Sequence, residues 1–206
     1  MTAGPRKKIS VQNLTAVILA GGRGRRMGGS DKGLVDLDGM PLIAHVLNVI
    51  APQVGRVLIN ANRNAAQYEA FGYPVVNDAL DGFQGPLAGF ASAMAAASTP
   101  YILTLPCDGP LVPQDYAARM IDALENSGSE IAVAHDGDRM QPVHALLPVG
   151  LMANLEGYLA QGDRKIDLWY ARCQVALADF SDCPGAFRNI NTPQDRVQLQ
   201  KEGAVT

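Results

Sequence analysis

Residues 15–33 read TAVILAGGRGRRMGGSDKG. The apolar, partly β-branched run 15–20 ends abruptly in glycine, which reads as a buried strand. Residues 21–33 then hold six glycines, three arginines, one lysine and one aspartate. So glycine-dense a run makes poor helix and poor core. Glycines do let backbone N–H groups approach phosphate oxygens and form an anion-binding hollow. Arg26 would add a planar fork and Lys32 a point charge. The bland alternative is a solvated basic loop. The buried strand that runs straight into the loop favours the anion site.

Outward from this stretch the chain alternates. PLIAHVLNVIA (41–51) is a predicted helix with apolar residues on one face, and RVLIN (56–60) is a strand. A short helix (64–71), a short strand (74–77), an alanine-rich helix (86–98) and a strand (101–105) follow. PQDYAARMIDALENS (113–127) is an amphipathic helix closed by Gly128, and EIAVA (130–134) a strand. Beyond residue 136 the rhythm weakens. Strands are expected over 141–148 and 173–180, helices over 150–160 and 192–202, with Thr192 as a candidate N-cap. Strand and helix in turn predict an α/β domain with a mostly parallel sheet and helices on both faces. Residues 1–13 read as a flexible tail and 14–206 as a single domain. Long loops are expected over 80–86 and 179–191.

Composition narrows the function. The chain has 206 residues, 17 Lys+Arg against 20 Asp+Glu, and a net charge of -3. That size suits one domain with a real core. A slightly acidic chain argues against nucleic acid as partner. No run approaches the length of a membrane span, and no signal peptide is visible. Cys107, Cys173 and Cys183 form no metal-ligand spacing and read as reduced thiols of a cytoplasmic protein.

Ligands of open α/β sheets lie at the carboxyl ends of the strands. Those ends here are the 21–33 loop, Asn60, Asn77-Asp78 and Cys107-Asp108-Gly109-Pro110. A cationic glycine loop facing an aspartate suits a polyphosphate with a divalent metal. Magnesium is usually held by one or two carboxylates plus substrate phosphates, which makes Asp108 the candidate ligand. A turn or capping aspartate is the alternative reading for both Asp108 and Asp78. Lys32-Gly33 has the wrong order for a Walker A loop, and Met27 stands where a Rossmann fingerprint needs glycine. His45, His135 and His144 share no metal spacing, so neither zinc nor a histidine base is expected.

LAGGRGRRMGGSDKG (19–33) resembles the L-A-G-G-x-x-x-R-M-G-x-x-K signature of the sugar-nucleotide and cofactor nucleotidyltransferases. Gly28-Gly29 and Asp31-Lys32-Gly33 make it similar to the molybdenum cofactor guanylyltransferase family. LINANR (58–63), GPLAG (85–89), LPCDGP (105–110) and NINTPQD (189–195) extend the resemblance over roughly 14–200. Residues 136–146 match loosely. The resemblance implies a three-layer α/β/α, nucleotide-diphospho-sugar-transferase-like fold, with GTP as co-substrate and Mg2+ as cofactor. It implies that Leu19, Ala20, Gly21 and Gly22 line the guanine and ribose side, with Asn60 and Asp78 on the nucleoside. Lys32 and Arg26 would bind phosphates, Asp108 the metal, and Asn189 and Asn191 the pterin side.

The implied reaction is transfer of GMP from GTP to the terminal phosphate of molybdopterin, with release of pyrophosphate. A phosphate monoester is largely ionised at neutral pH, so it needs no strong base. Catalysis then rests on positioning and charge neutralisation by Arg26, Lys32 and Asp108. A monomer is expected, with molybdoenzymes or other cofactor-biosynthesis proteins as candidate protein partners. Two alternatives stay open: a cytidylyltransferase or other nucleotidyltransferase of the same fold, and a non-catalytic nucleotide- or cofactor-binding module.

Overall fold

The computed structural model describes residues 8–20, 31–79 and 85–203. Gly21, Gly22 and Arg26 lie outside these residues. Seven strands form one sheet: β1 (Leu14–Leu19), β4 (Arg56–Asn60), β5 (Val75–Val76), β6 (Tyr101–Pro106), β7 (Ile131–His135), β8 (Met140–Pro148) and β9 (Val175–Asp179). Their order is β5-β4-β1-β6-β8-β7-β9. β1 pairs in parallel with β4 on one side and β6 on the other. β5 and β9 are also parallel to their neighbours, whereas β8 runs antiparallel to both β6 and β7. The mostly parallel sheet is therefore as expected, and β8 has a local cause. Only four residues separate it from β7, far too few for a parallel crossover. Asp136 builds the turn, its carboxylate accepting from the N–H groups of Asp138 and Arg139 at 2.9 and 2.8 Å, and Gly137 takes φ 98°.

Alternate residues of β1 point to opposite faces. Ala16 and Ile18 pack with Ile43, Val46 and Ile50 of helix α1 (Leu42–Ile50) and with Tyr116 and Met120 of α4 (Tyr116–Ser127). Val17 packs on the other side with Leu87 and Phe90 of α3 (Pro86–Ala96), Leu155 of α5 (Met152–Ala160) and Trp169 of α6 (Ile166–Tyr170). The result is a three-layer α/β/α fold. Each such large side chain contributes about 1.5–3 kcal/mol on burial. Buried Trp169 also donates from Nε1 to Asn154 at 2.9 Å.

A third, small cluster bears on the site. Leu37, Leu42, Ile190 and Leu199 pack together. They join the β2–β3 hairpin (Asp36–Leu37 and Met40–Pro41) to α7 (Pro193–Glu202) and to the segment before it. The hairpin turns on Asp38-Gly39, both at positive φ, as two-residue hairpin loops require. Thr192 caps α7 in a capping box with Asp195, as its sequence suggested.

Of the expected tail over 1–13, residues 8–13 are among the described residues. Ile9 is buried, its N–H donates to Glu125, and Val11–Asn13 forms a single 3₁₀ turn. Gly55 N–H donates to the Val11 carbonyl at 2.8 Å, so this segment is stitched to the base of β4. Among the described residues no helix is long and apolar enough to cross a membrane.

His144 on β8 is buried beside Phe187 (ring centroids 4.8 Å apart) and meets the Tyr116 hydroxyl through Nδ1 at 3.2 Å. Burial lowers its pKa from 6.5 to about 3. The folded ring is thus neutral where an unfolded one is protonated. Above pH 6.5 the residue contributes no pH dependence; below it the unfolded chain takes up the extra proton. Stability should therefore fall from pH 6.5 toward about 3, by roughly 2 kcal/mol at pH 5. Urea unfolding at pH 7 and pH 5 checks this. The His144→Gln variant is expected to lose that part of the acid slope, and identical slopes in both proteins would count against it.

Candidate active site

The strand order reverses at β1, which has β4 on one flank and β6 on the other. Ligand crevices form at such switch points, beyond the carboxyl ends. Backbone hydrogen bonds lock the three ends together. Ala20 N–H donates to the Asn60 carbonyl at 2.8 Å, and Cys107 N–H to the Leu19 carbonyl at 3.1 Å. Leu19 and Ala20 thus form the floor between two polar groups.

The first group stands at the end of β4. Asn60, almost wholly buried, donates from Nδ2 to Asp78 Oδ1 at 2.9 Å and to the Val76 carbonyl at 3.3 Å. Asn62 closes the other side of Asp78, donating to Oδ2 at 2.7 Å and accepting from the Asp78 N–H at 2.7 Å. Gly89 of α3 makes room for this group. A Cβ at that position would lie 2.5 Å from Asn60 Oδ1 and 2.8 Å from Leu19 Cδ2.

The second group stands at the end of β6. Lys32 Nζ donates to Asp108 Oδ2 at 2.8 Å and to Asn191 Oδ1. Both side chains of the ion pair are largely shielded, at 23% and 11% exposure. Ile190 N–H donates to the Asp108 carbonyl at 2.8 Å, which draws the 189–191 segment to the strand end. Ile190 is buried in the third cluster, so the flanking Asn189 and Asn191 are turned toward the site. A Cβ on Gly109 would approach Asn189 Oδ1 to 3.2 Å. Asn191 is fixed from behind, its N–H donating to Asp195 Oδ2 at 2.9 Å. That bond, first among several, holds the Asp195 carboxyl below the usual range.

Lys32, Asp108 and Asn191, three residues singled out in the sequence, are therefore in direct contact. Asn60 and Asp78 form a second contact group, and Leu19 and Ala20 lie between the two. Two strand spacings, roughly 10 Å, separate the groups across the sheet. Cys107, beside Asp108, is buried with its thiol pushed well above the ordinary range by that burial, so it is no nucleophile. All three cysteines are free. Asn62, Gly89 and Asp31 escaped the sequence reading as functional positions. LINANR and GPLAG had marked the stretches holding the first two, but not their roles. No group of three or more metal-ligating side chains occurs among the described residues.

A model of the MobA-like NTP transferase domain matches residues 16–175. The chain belongs to that family. It is accordingly a nucleotidyltransferase. A molybdenum cofactor guanylyltransferase from Shewanella sediminis is 50% identical over 188 residues, covering 91% of this chain and 96% of the relative. One of the same name from Shewanella frigidimarina is 50% identical over 186 residues, covering 90% and 95%. Among solved structures, molybdopterin-guanine dinucleotide biosynthesis protein A from Archaeoglobus fulgidus matches with TM-score 0.76 at 25% identity, over 94% of this chain and all of that one. The 4-diphosphocytidyl-2C-methyl-D-erythritol synthase from Anaerococcus prevotii shares the fold, with TM-score 0.73 at 12% identity over 93% and 96%.

Proposed function

We propose that the chain transfers GMP from GTP to the terminal phosphate of molybdopterin, releasing pyrophosphate. The observation that carries this reading is the Lys32 junction. One ammonium stands at a ligand-binding switch point between a carboxylate and an amide drawn from two other segments. Relatives 50% identical over nearly their whole length carry the guanylyltransferase name.

A nucleotide laid across the ends of three strands can reach from Asn60–Asp78 to Lys32. In this reading the nucleoside lies against Leu19 and Ala20, with Asn60 and Asp78 at its polar edge. Guanine presents N–H donors, and the Asp78 carboxylate is an acceptor held in place by two asparagines. Lys32 neutralises the triphosphate, and the glycine loop with Gly21, Gly22 and Arg26 adds donors to it. Asn189 and Asn191 face the acceptor. The acceptor phosphate attacks the α-phosphorus in line and is already ionised, so the chain's task is to hold both phosphates and disperse their charge.

The donor set fits magnesium. Asp108 Oδ2 is occupied by Lys32, while Oδ1 receives no hydrogen bond from a described residue. A single carboxylate with substrate phosphates is the usual magnesium arrangement. Asp108 would hold the ion, which when bound neutralises phosphate charge.

Incubation with molybdopterin, Mg2+ and equal GTP and CTP tests the proposal by mass analysis of the pterin product. A guanylylated pterin is expected. A cytidylylated product would replace the base assignment, and no nucleotidylated pterin would refute the transfer. The nucleoside side has its own test in Gly89→Ala. Glycine within a helix costs about 1 kcal/mol relative to alanine, so the change favours the helix itself. The new methyl group would nonetheless displace Asn60, which its two hydrogen bonds hold in place. The KM for GTP is expected to rise by roughly ten-fold, since small misplacements of positioning groups are expensive. An unchanged KM would remove Asn60 from the nucleoside site.

A further inference from the structure

We propose that Asp31 is a positioning residue for Lys32, acting through a buried clamp with Tyr68, Asn64 and Arg63; the inference rests on the guanylyl-transfer reading above. Asp31 immediately precedes the 3₁₀ turn Lys32–Leu34 and occupies its N-cap position, yet its side chain makes no cap. It turns inward instead, and only 4% of it is exposed. Oδ1 accepts from the Tyr68 hydroxyl. Oδ2 accepts from Asn64 Nδ2 at 3.0 Å and faces Arg63 Nε at 3.5 Å.

Asn64 makes the same sacrifice. It is the N-cap of α2 (Ala65–Glu69) and also leaves its helix uncapped. It adopts φ 54°, a left-handed conformation unusual outside glycine, while its amide reaches Asp31. A side-chain cap ordinarily stabilises a helix end. Two neighbouring elements thus forgo their own caps to bond each other. A buried carboxylate is tolerable only when it is paired and hydrogen-bonded, and Asp31 has three such partners.

Gly33, on the other side of Lys32, registers on the same anchor. A Cβ there would fall 2.6 Å from the Tyr68 hydroxyl oxygen and 3.2 Å from Cys107 Sγ. Only glycine lets the turn pass so close. Tyr68 is fully buried, and burial first, then Cys107 and Asp31, raises its pKa beyond the ordinary phenol range, so it remains a donor. Lys32 is therefore bracketed by two residues fixed on one core hydroxyl. This bracket sets where the ammonium meets Asp108 and Asn191. A surface turn left to itself would let a lysine side chain wander.

Asp31→Asn keeps the shape and one hydrogen-bonding oxygen but loses the charge; Tyr68→Phe removes a single oxygen and serves if the first variant fails to fold. GTP binding without acceptor, then steady-state KM for GTP and for molybdopterin, are measured beside thermal unfolding. GTP affinity is expected to fall and the KM for GTP to rise by roughly ten-fold or more, with the KM for molybdopterin little changed, because displacing a positioned group by about 1 Å can cost on the order of 10². A lowered melting temperature with both KM values unchanged would make the clamp a structural staple and overturn the proposal. GTP binding by the unaltered protein separates the two ideas. If it binds GTP and both variants bind equally well, the clamp alone fails; if it binds none, the underlying reading fails as well.

Discussion

Lys32→Ala is expected to fold and to lose turnover by about 10²–10³, the usual effect of deleting one transition-state charge contact. The expectation follows from where the ammonium stands. It is the described cation that touches both Asp108 and the 189–191 segment, so it lies between the metal candidate and the acceptor side. In the transfer, negative charge grows on the departing pyrophosphate, and a preplaced ammonium stabilises it without reorganisation. The same ammonium meets the triphosphate before transfer, so the loss should appear both in kcat and as a KM for GTP raised by roughly ten-fold or more. Removing the ammonium leaves Asp108 with one fewer partner. The pair is neither fully exposed nor fully buried, so stability should fall by about 1–3 kcal/mol. Circular dichroism and a thermal melt separate the two effects. Turnover within a few-fold of the unaltered enzyme would remove Lys32 from the machinery.

Asp108→Asn is the second large effect. The substitution preserves shape and an oxygen near Lys32 but removes the charge that would hold magnesium. Turnover should again fall by about 10²–10³, and the Mg2+ concentration needed for half-maximal rate should rise. Titration of Mg2+ at fixed GTP reads both. Near-normal turnover at the same Mg2+ requirement would refute the metal assignment. The two variants are in contact and share one function, so their losses should not add in the double variant.

Much of this was legible in the chain. Strands such as TAVILA and YILTL are short apolar runs that end in glycine or proline, and the carboxyl ends of such strands are where open α/β sheets bind ligands. Asp108, Asn60 and Asp78 could be found by that rule alone. Asn189 and Asn191 could not, because what brings them in is the burial of Ile190 against Leu37, Leu42 and Leu199, a contact between distant segments. Helix α6 is only five residues long, too short to show a helical period, and so Trp169 gave no hint of its place in the core. The antiparallel entry of β8 was readable in principle from the four-residue turn before it. The inward Asp31 was not. In sequence Asp31 marks the family resemblance beside Lys32, but nothing there shows that its side chain turns inward, because its partner Tyr68 lies 37 residues away. The expected tail over 1–13 gave no hint that Ile9 is buried or that the Val11 carbonyl meets Gly55 N–H, both contacts between distant segments.

In the proposed reaction the α-phosphoryl nucleotide of GTP passes to a pterin phosphate. GTP labelled at the α-phosphate, incubated with the enzyme, Mg2+ and molybdopterin, tests it most directly. The label is expected in the pterin product, one per pterin, while the pyrophosphate released carries none. Label recovered only in GTP or free GMP, with the pterin unlabelled, would contradict it.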